Sequence, residues 1–259
     1  MVLVIPAIEL CNGRCRRRIQ GDPALEGYYT YLQEHPDELA RLYRQENARS
    51  LHIVDIDAIE GSSDARSEAN RRAIVTIAHA VDIPIELLST FSSAAECKEW
   101  LDSGVFRLVV SDLVLTDPDS LKTLVERYTA SRIVVGIRAH NRQVHVAGTT
   151  MDDVSFALAA KAVGIRRVVY SDVRWEGTYE GPDFDLVEMF ARSVQMNITI
   201  AGGIDSPEEL WRCNALRSCG VDSVIVGRAI VENRFPCQYI WRMVEATVQK
   251  NFVPPPKST

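Results

Sequence analysis

An eight-stranded α/β barrel is the architecture this sequence predicts, and three observations predict it. Eight apolar, β-branched runs recur along the chain, at 3–8, 51–56, 83–88, 107–110, 133–137, 167–170, 198–201 and 223–226. Helical patterns separate them, among them 36–47, 117–127, 152–163 and 206–218, and strand–helix alternation is what a parallel sheet requires. The third observation is a faint internal repeat. The segment 83–114 overlays 197–230, with Gly104-Val105 on Gly220-Val221 and Leu108-Val109-Val110 on Val224-Ile225-Val226. Eight strands close such a barrel, so the prediction is a single (β/α)8 TIM barrel built of two half-barrel repeats. It is expected to span 1–252, with 253–259 a loose tail because its consecutive prolines cannot continue a helix.

The first run is followed by the basic stretch Arg14 and Arg16-Arg17-Arg18, a loop face turned either to an anionic ligand or to solvent. The last two runs end differently from the others. Ile198-Thr199-Ile200-Ala201 ends in Gly202-Gly203, and Val224-Ile225-Val226 ends in Gly227-Arg228. Each leads straight into helical sequence, so backbone N–H groups at both strand ends can face one anion. Glycine lets the backbone approach phosphate oxygens with no Cβ in the way, and Arg228 adds a forked cation. The segment after Gly203 opens on Ser206-Pro207-Glu208-Glu209, which supplies a capping hydroxyl, a proline at the first helical position and acids in the first turn. Barrels of this type often hold phosphate after their seventh and eighth strands, so the expected partner is a phosphorylated small molecule.

With 259 residues and 46% hydrophobic content, the chain can bury a substantial core as one domain. A net charge of -6 argues against a nucleic-acid partner. No apolar run approaches membrane-spanning length and no leader-like pattern precedes the first strand, so no membrane partner and a reduced, cytoplasmic setting are expected. The six cysteines, Cys11, Cys15, Cys97, Cys213, Cys219 and Cys237, show neither CxxC spacing nor a nearby histidine set. Neither metal nor cofactor is expected.

Longer pieces follow one another in a specific order: Ile5-Pro6-Ala7-Ile8-Glu9-Leu10, Asn12-Gly13, Arg17, Gln20-Gly21-Asp22 and His52-Ile53-Val54-Asp55-Ile56-Asp57. Asp172 with Glu176-Gly177-Thr178, Ala201-Gly202-Gly203-Ile204 and Val226-Gly227-Arg228-Ala229 complete the set. In these the chain resembles, over nearly its whole length, the half-barrel family of histidine biosynthesis. Gln20-Gly21-Asp22 looks like the isomerase branch, which converts an aldose ribotide to a ketose by an Amadori rearrangement. The resemblance implies an acid–base pair of aspartates at the ends of strands 1 and 5, where this chain carries Glu9 and Arg138. It implies catalytic positions at Glu9, Arg138, Ser171 and Glu176, and phosphate binding at Gly177, Gly202, Gly203, Gly227 and Arg228. Substrate contact is implied at Asp55, Asp172 and Thr178.

Amadori chemistry opens a furanose ring by protonating its oxygen and then moves a proton from the second carbon, so it needs a donor and an acceptor on opposite sides of the sugar. Arginine does not titrate near neutral pH. Glu9 still can, although its extra methylene shifts the carboxyl by about an ångström, and Glu176 or Asp172 is the candidate for the missing partner. The glycines that the resemblance implies after strands 3 and 4 are replaced by Leu88-Ser89-Thr90 and Ser111-Asp112-Leu113. The Asp112 carboxylate repels a phosphate there.

Two readings follow. One is a divergent paralogue of the isomerase that binds a phosphorylated sugar or nucleotide at the C-terminal phosphate site, with the standard bis-phosphate activity called into question. The other is a catalytically silent barrel that binds a phosphorylated metabolite or a protein partner. In the second, Glu9 and Arg138 are expected to pair across the mouth, while Leu88, Phe91 and Leu113 mark either a docking face or local packing.

Overall fold

Eight parallel strands close on themselves: β1 Leu3–Cys11, β2 Leu51–Asp55, β3 Ile85–Leu88, β4 Arg107–Val110, β5 Ile133–His140, β6 Arg167–Asp172, β7 Asn197–Ala201 and β8 Val221–Val226. Each pairs with its neighbours in sequence, β4 joins β5 through Leu108↔Ile133, and β1 returns to β8 through Leu3↔Ser223. In this computed structural model residues 1–17, 19–20, 23–232 and 234 are described. Arg18, Gly21, Asp22, Cys237, the expected boundary at 252 and the tail 253–259 lie outside the described residues.

Seven helices follow the first seven strands: α1 Pro36–Gln45, α2 Asp64–Ala80, α3 Ala94–Asp102, α4 Pro118–Tyr128, α5 Asp153–Ala162, α6 Phe184–Val194 and α7 Pro207–Ala215. Their starts follow capping rules. Ser206 accepts from the Glu209 N–H at 3.4 Å with Pro207 at the first position of α7, and Asp117 and Asp152 accept in the same way at α4 and α5. A further helix, Glu26–Glu34, lies between β1 and α1, and a short one, Arg228–Val231, follows β8. Among the described residues no helix is long and apolar enough to cross a membrane.

β1 and β5 run three residues beyond the expected apolar runs, for the same physical reason. Past the barrel rim each turns back on itself, β1 pairing Leu10 and Cys11 with the two-residue strand Arg14–Cys15, and β5 pairing Ala139 and His140 with Gln143–Val146. A second turn adds Thr149–Asp152, so a β-ribbon absent from the sequence expectation rises over the mouth after β5.

Strand alternation splits the core in two. Outward-facing residues such as Ile8, Leu10, Ile53, Leu108, Val135 and Ile198 pack against the helices, while Ile5, Ala7, Val109, Val134, Val169 and Ile225 fill the barrel axis with Leu88 and Ala201 against them. Phe91 and Leu113, 5% and 3% exposed, belong to the outer core, and Leu88 packs on the axial cluster. Of the two readings of these three, docking face or local packing, their burial and contacts support local packing.

Candidate functional site

The period-2 rule that fills the axis also decides what reaches the mouth at the C-terminal strand ends. After Ile5 and Ala7 the next inward position on β1 is Glu9. After Val134 and Gly136 on β5 it is Arg138, and after Val169 on β6 it is Ser171. Gly136 is small of necessity, since a Cβ there would lie 2.9 Å from Val109 Cγ1. Arg138 and Ser171 are register partners, so the two side chains leave adjacent strands at one level.

Glu9 and Arg138 each hold another partner, which corrects the expectation that they pair. The Arg17 Nε lies 2.9 Å from Glu9 Oε1, and the Arg138 Nε donates to Glu176 Oε2 at 2.7 Å. The reason is local. Arg17 returns with the chain beside β1, and Glu176 sits on the loop after β6, the strand next to β5, so each charge meets a counter-ion before it reaches across. The crevice lined by Ala7, Glu9, Arg17 and Gly227 measures about 10 Å³, room for roughly one water.

Asp55 and Asp172 are outward residues of their strands. Asp55 accepts from Asn70 Nδ2 at 2.7 Å and from the Ala58 N–H at 3.2 Å, and burial raises its pKa above the usual carboxylate value. Asn70 also donates to Leu10 O and accepts from the Gly13 N–H, so this cluster fixes the turn at the top of β1. Asp172, fully buried, takes the Arg174 N–H, Nε and Nη2 at 2.9, 3.0 and 3.2 Å. Asp55 and Asp172 thus shape the loops that carry Arg17 and Glu176. Thr178 does similar work, its hydroxyl donating to Trp175 O at 3.0 Å.

Gly202 and Gly203, at φ +85° and +78°, turn the chain out of β7 in the left-handed region that glycine tolerates. The loop after β6 lies against them. A Cβ on Gly202 would sit 3.4 Å from Glu176 Cα, and one on Gly203 would sit 3.2 Å from the Gly181 carbonyl carbon. Trp175, buried, donates from its indole to Ala201 O at 3.2 Å. Gly227 faces β1, where a Cβ would stand 3.5 Å from Ala7 Cβ and 3.9 Å from Glu9 Oε1. Arg228 donates its Nε to Glu232 at 2.7 Å and an Nη to Gly177 O, with its guanidinium 4.6 Å from the centre of the Tyr179 ring. The other face of the mouth has a different occupant. Asp112 accepts from the Ala147 N–H at 3.0 Å, tying the loop after β4 to the ribbon after β5.

Two contributors escaped the sequence reading. Asp57, fully buried, opposes its own desolvation with the Asn12 N–H at 2.5 Å and Arg66 Nε at 3.1 Å, which hold its carboxyl below the usual range. Tyr179 is the other, a ring flanked by the guanidinium groups of Arg228 and Arg234 and hydrogen-bonded to Glu232. The Asp-x-Asp after β2 was a signal for the first, whereas nothing in the local sequence marked the second. Among the described residues no group of three or more His, Cys, Asp or Glu is placed to hold a metal ion.

The family model described as histidine biosynthesis protein matches residues 3–236. The chain belongs to that family. Its relatives within the histidine biosynthesis family include the phosphoribosyl imidazole-4-carboxamide isomerase of Salinibacter ruber, 39% identical over 93% of this chain and 93% of its own length. Isomerases of the same name from Chloroherpeton thalassium and Pelodictyon phaeoclathratiforme are each 36% identical, over 95% of this chain and 93% and 95% of their own lengths. The name of these relatives specifies two phosphoribosyl groups. The histidine biosynthesis barrel thus fixes where the mouth lies, and the residues that line it here set what the mouth can do.

Proposed function

We propose that this chain is a divergent counterpart of the aldose–ketose ribotide isomerase, that it binds a phosphorylated sugar or nucleotide in the cytoplasm, and that the bis-phosphate reaction is slow or absent. The observation that carries this is the Arg138–Glu176 ion pair of 2.7 Å. At the strand-5 position implied to hold an acid–base carboxylate stands a permanent cation, and it occupies the nearest replacement, Glu176. A second titrating group on that side of the sugar contributes about 10² to 10⁴ in rate.

Gly177, Gly202, Gly203, Gly227 and Arg228 are assigned to the phosphate. Support comes from the left-handed glycines at the end of β7 and from the nearness of Gly177 to Arg228. Glu9 is the remaining proton donor or acceptor, with Ser171 beside Arg138 as a hydroxyl contact for the sugar. Asp55, Asp172 and Thr178 are assigned to shaping the ligand pocket from behind. On the first-half side Asp112 presents a carboxylate where a second phosphate would sit, which supports a ligand with one phosphate.

The test is turnover of the ribotide substrate of the Salinibacter relative, assayed side by side with that enzyme. The expected kcat/KM is at least a hundredfold lower, and equal rates would overturn the reading. A catalytically silent binding barrel is the second reading, supported by the prior engagement of Glu9 by Arg17 and Arg138 by Glu176. Ligand binding with no turnover of any phosphorylated sugar would select it.

A further inference from the structure

Most of the Arg138 guanidinium is unspent. Its Nε donates to Glu176, and among the described residues its two terminal nitrogens make no hydrogen bond, with 67% of the side chain exposed. A guanidinium has five N–H bonds, so four remain, arranged as the fork that matches a planar carboxylate. The Nε bond fixes the plane of that fork before any ligand arrives, which reduces the ordering cost of a further contact.

The strand register gives a distance. Arg138 pairs with Ser171 across β5 and β6, and Tyr170 pairs with Ile200 across β6 and β7, so Arg138, Ser171 and Ala201 stand in one row. Neighbouring strands are about 4.8 Å apart, which puts the ends of β5 and β7 about 10 Å from each other. Gly202 and Gly203 follow Ala201 directly.

Charge selects the group at the far end. Glu176 already offsets the Arg138 cation, so a singly charged planar anion is better matched than a doubly charged phosphate. We propose that Arg138 is a second anion seat, and that the ligand is a phosphorylated sugar acid whose phosphate lies at the β7–β8 end and whose carboxylate meets the Arg138 fork. This rests on the phosphate assignment made above. It gives the strand-5 arginine a binding task in place of the proton transfer it cannot perform.

Calorimetry with two probes tests it: phosphoribonate and ribitol phosphate, the same five-carbon chain ending in a carboxylate or an alcohol. The wild-type protein is expected to bind phosphoribonate at least tenfold more tightly. Arg138→Gln should close that gap to less than about twofold, and Arg138→Lys should keep part of it, since charge survives but the fork does not. The side chain is exposed, so both variants should melt within a degree or two of wild type, which a thermal scan checks. Equal affinities in the wild type, or a gap that persists in Arg138→Gln, would overturn the second seat while ribitol phosphate binding leaves the phosphate assignment standing. If neither probe binds at millimolar concentration, the phosphate assignment itself fails and the second seat with it.

Discussion

Arg138 illustrates how a charged residue stands at the barrel mouth without disturbing the fold. Its place at the end of the fifth strand was legible from the apolar run before it, and alternation turns it inward once Val134 and Gly136 face the axis, whereas its register partner Ser171 came only with the structure. Its counter-ion was not legible. The choice between Glu9 and Glu176 depends on where two loops travel, and charge sign alone does not say. Replacing the cation should therefore be informative: Arg138→Asp restores a titrating group and frees Glu176, and kcat/KM for the ribotide is expected to rise at least tenfold over wild type. No gain in a steady-state assay would overturn the proposed role of the Arg138 cation in blocking the reaction. Asp57 makes the opposite case, a charge kept for structure. Its carboxyl is held below the usual range, so its stabilising effect is present above the unfolded value of about 3.9 and is lost as pH falls through the folded value. Asp57→Asn should cost about 2 kcal/mol in urea unfolding at pH 7, with a gap that narrows toward pH 3. A gap independent of pH would assign the loss to packing.

Among the elements, the barrel strands and helices were readable and the ribbon after β5 was not. Each strand announces itself by β-branched content, and Ser206-Pro207-Glu208-Glu209 announces α7 by the chemistry of its first turn. The ribbon turns at Asn141-Arg142 and Ala147-Gly148, all four residues at positive φ. Hairpin turns of that kind favour Asn and Gly, and an arginine or alanine at such a place hides the signal. Tertiary contacts hold them there instead. Arg142 reaches buried Asp153 at 3.1 Å, and the Ala147 N–H is claimed by Asp112. Asp112, the residue after β4 proposed above to disfavour a phosphate, is thus also the tether of the ribbon. Asp112→Ala is expected to raise the hydrogen-exchange rate of the Ala147 amide about fivefold, the equivalent of one exposed hydrogen bond near 1 kcal/mol. Unchanged exchange would show that the ribbon is held by its own ladder alone.

At the scale of the whole molecule the end of the barrel opposite the mouth is sealed by polar contacts. The sequence pointed to the mouth, since glycines gather at strand ends there, but the seal is built from residues far apart in the chain. His52, Glu86 and Arg107 form a row across β2, β3 and β4, with His52 Nδ1 2.8 Å and Arg107 Nη1 3.1 Å from the Glu86 carboxylate. Across the axis Arg167 grips Asp222 with both terminal nitrogens, at 2.5 and 2.6 Å, and also meets Thr199 and Ser223. These groups lie toward the strand starts, below the apolar layer of Ile5, Val109, Val134, Val169 and Ile225. The seal therefore answers for stability. Glu86 is 1% exposed; burial pushes its carboxyl up, but His52 and Arg107 outweigh that and hold it below the usual range. A depressed carboxylate stabilises the fold above the unfolded value of about 4.3, and that contribution is lost as pH falls through the folded value. Glu86→Gln removes the buried anion and turns one of the two oxygens that His52 and Arg107 share into an NH2 donor, a change that costs about 3 to 5 kcal/mol. For a chain of this size the melting temperature at pH 7 should fall by roughly 10 °C, and the difference from wild type should shrink as the pH is lowered below about 4. Phosphate-ligand affinity, measured well below the variant's melting temperature, should stay within about twofold, because the seal and the mouth are separated by the apolar layer. A variant that melts like wild type, or one that folds normally but loses its ligand, would show that the two ends of the barrel do not divide stability and binding in this way.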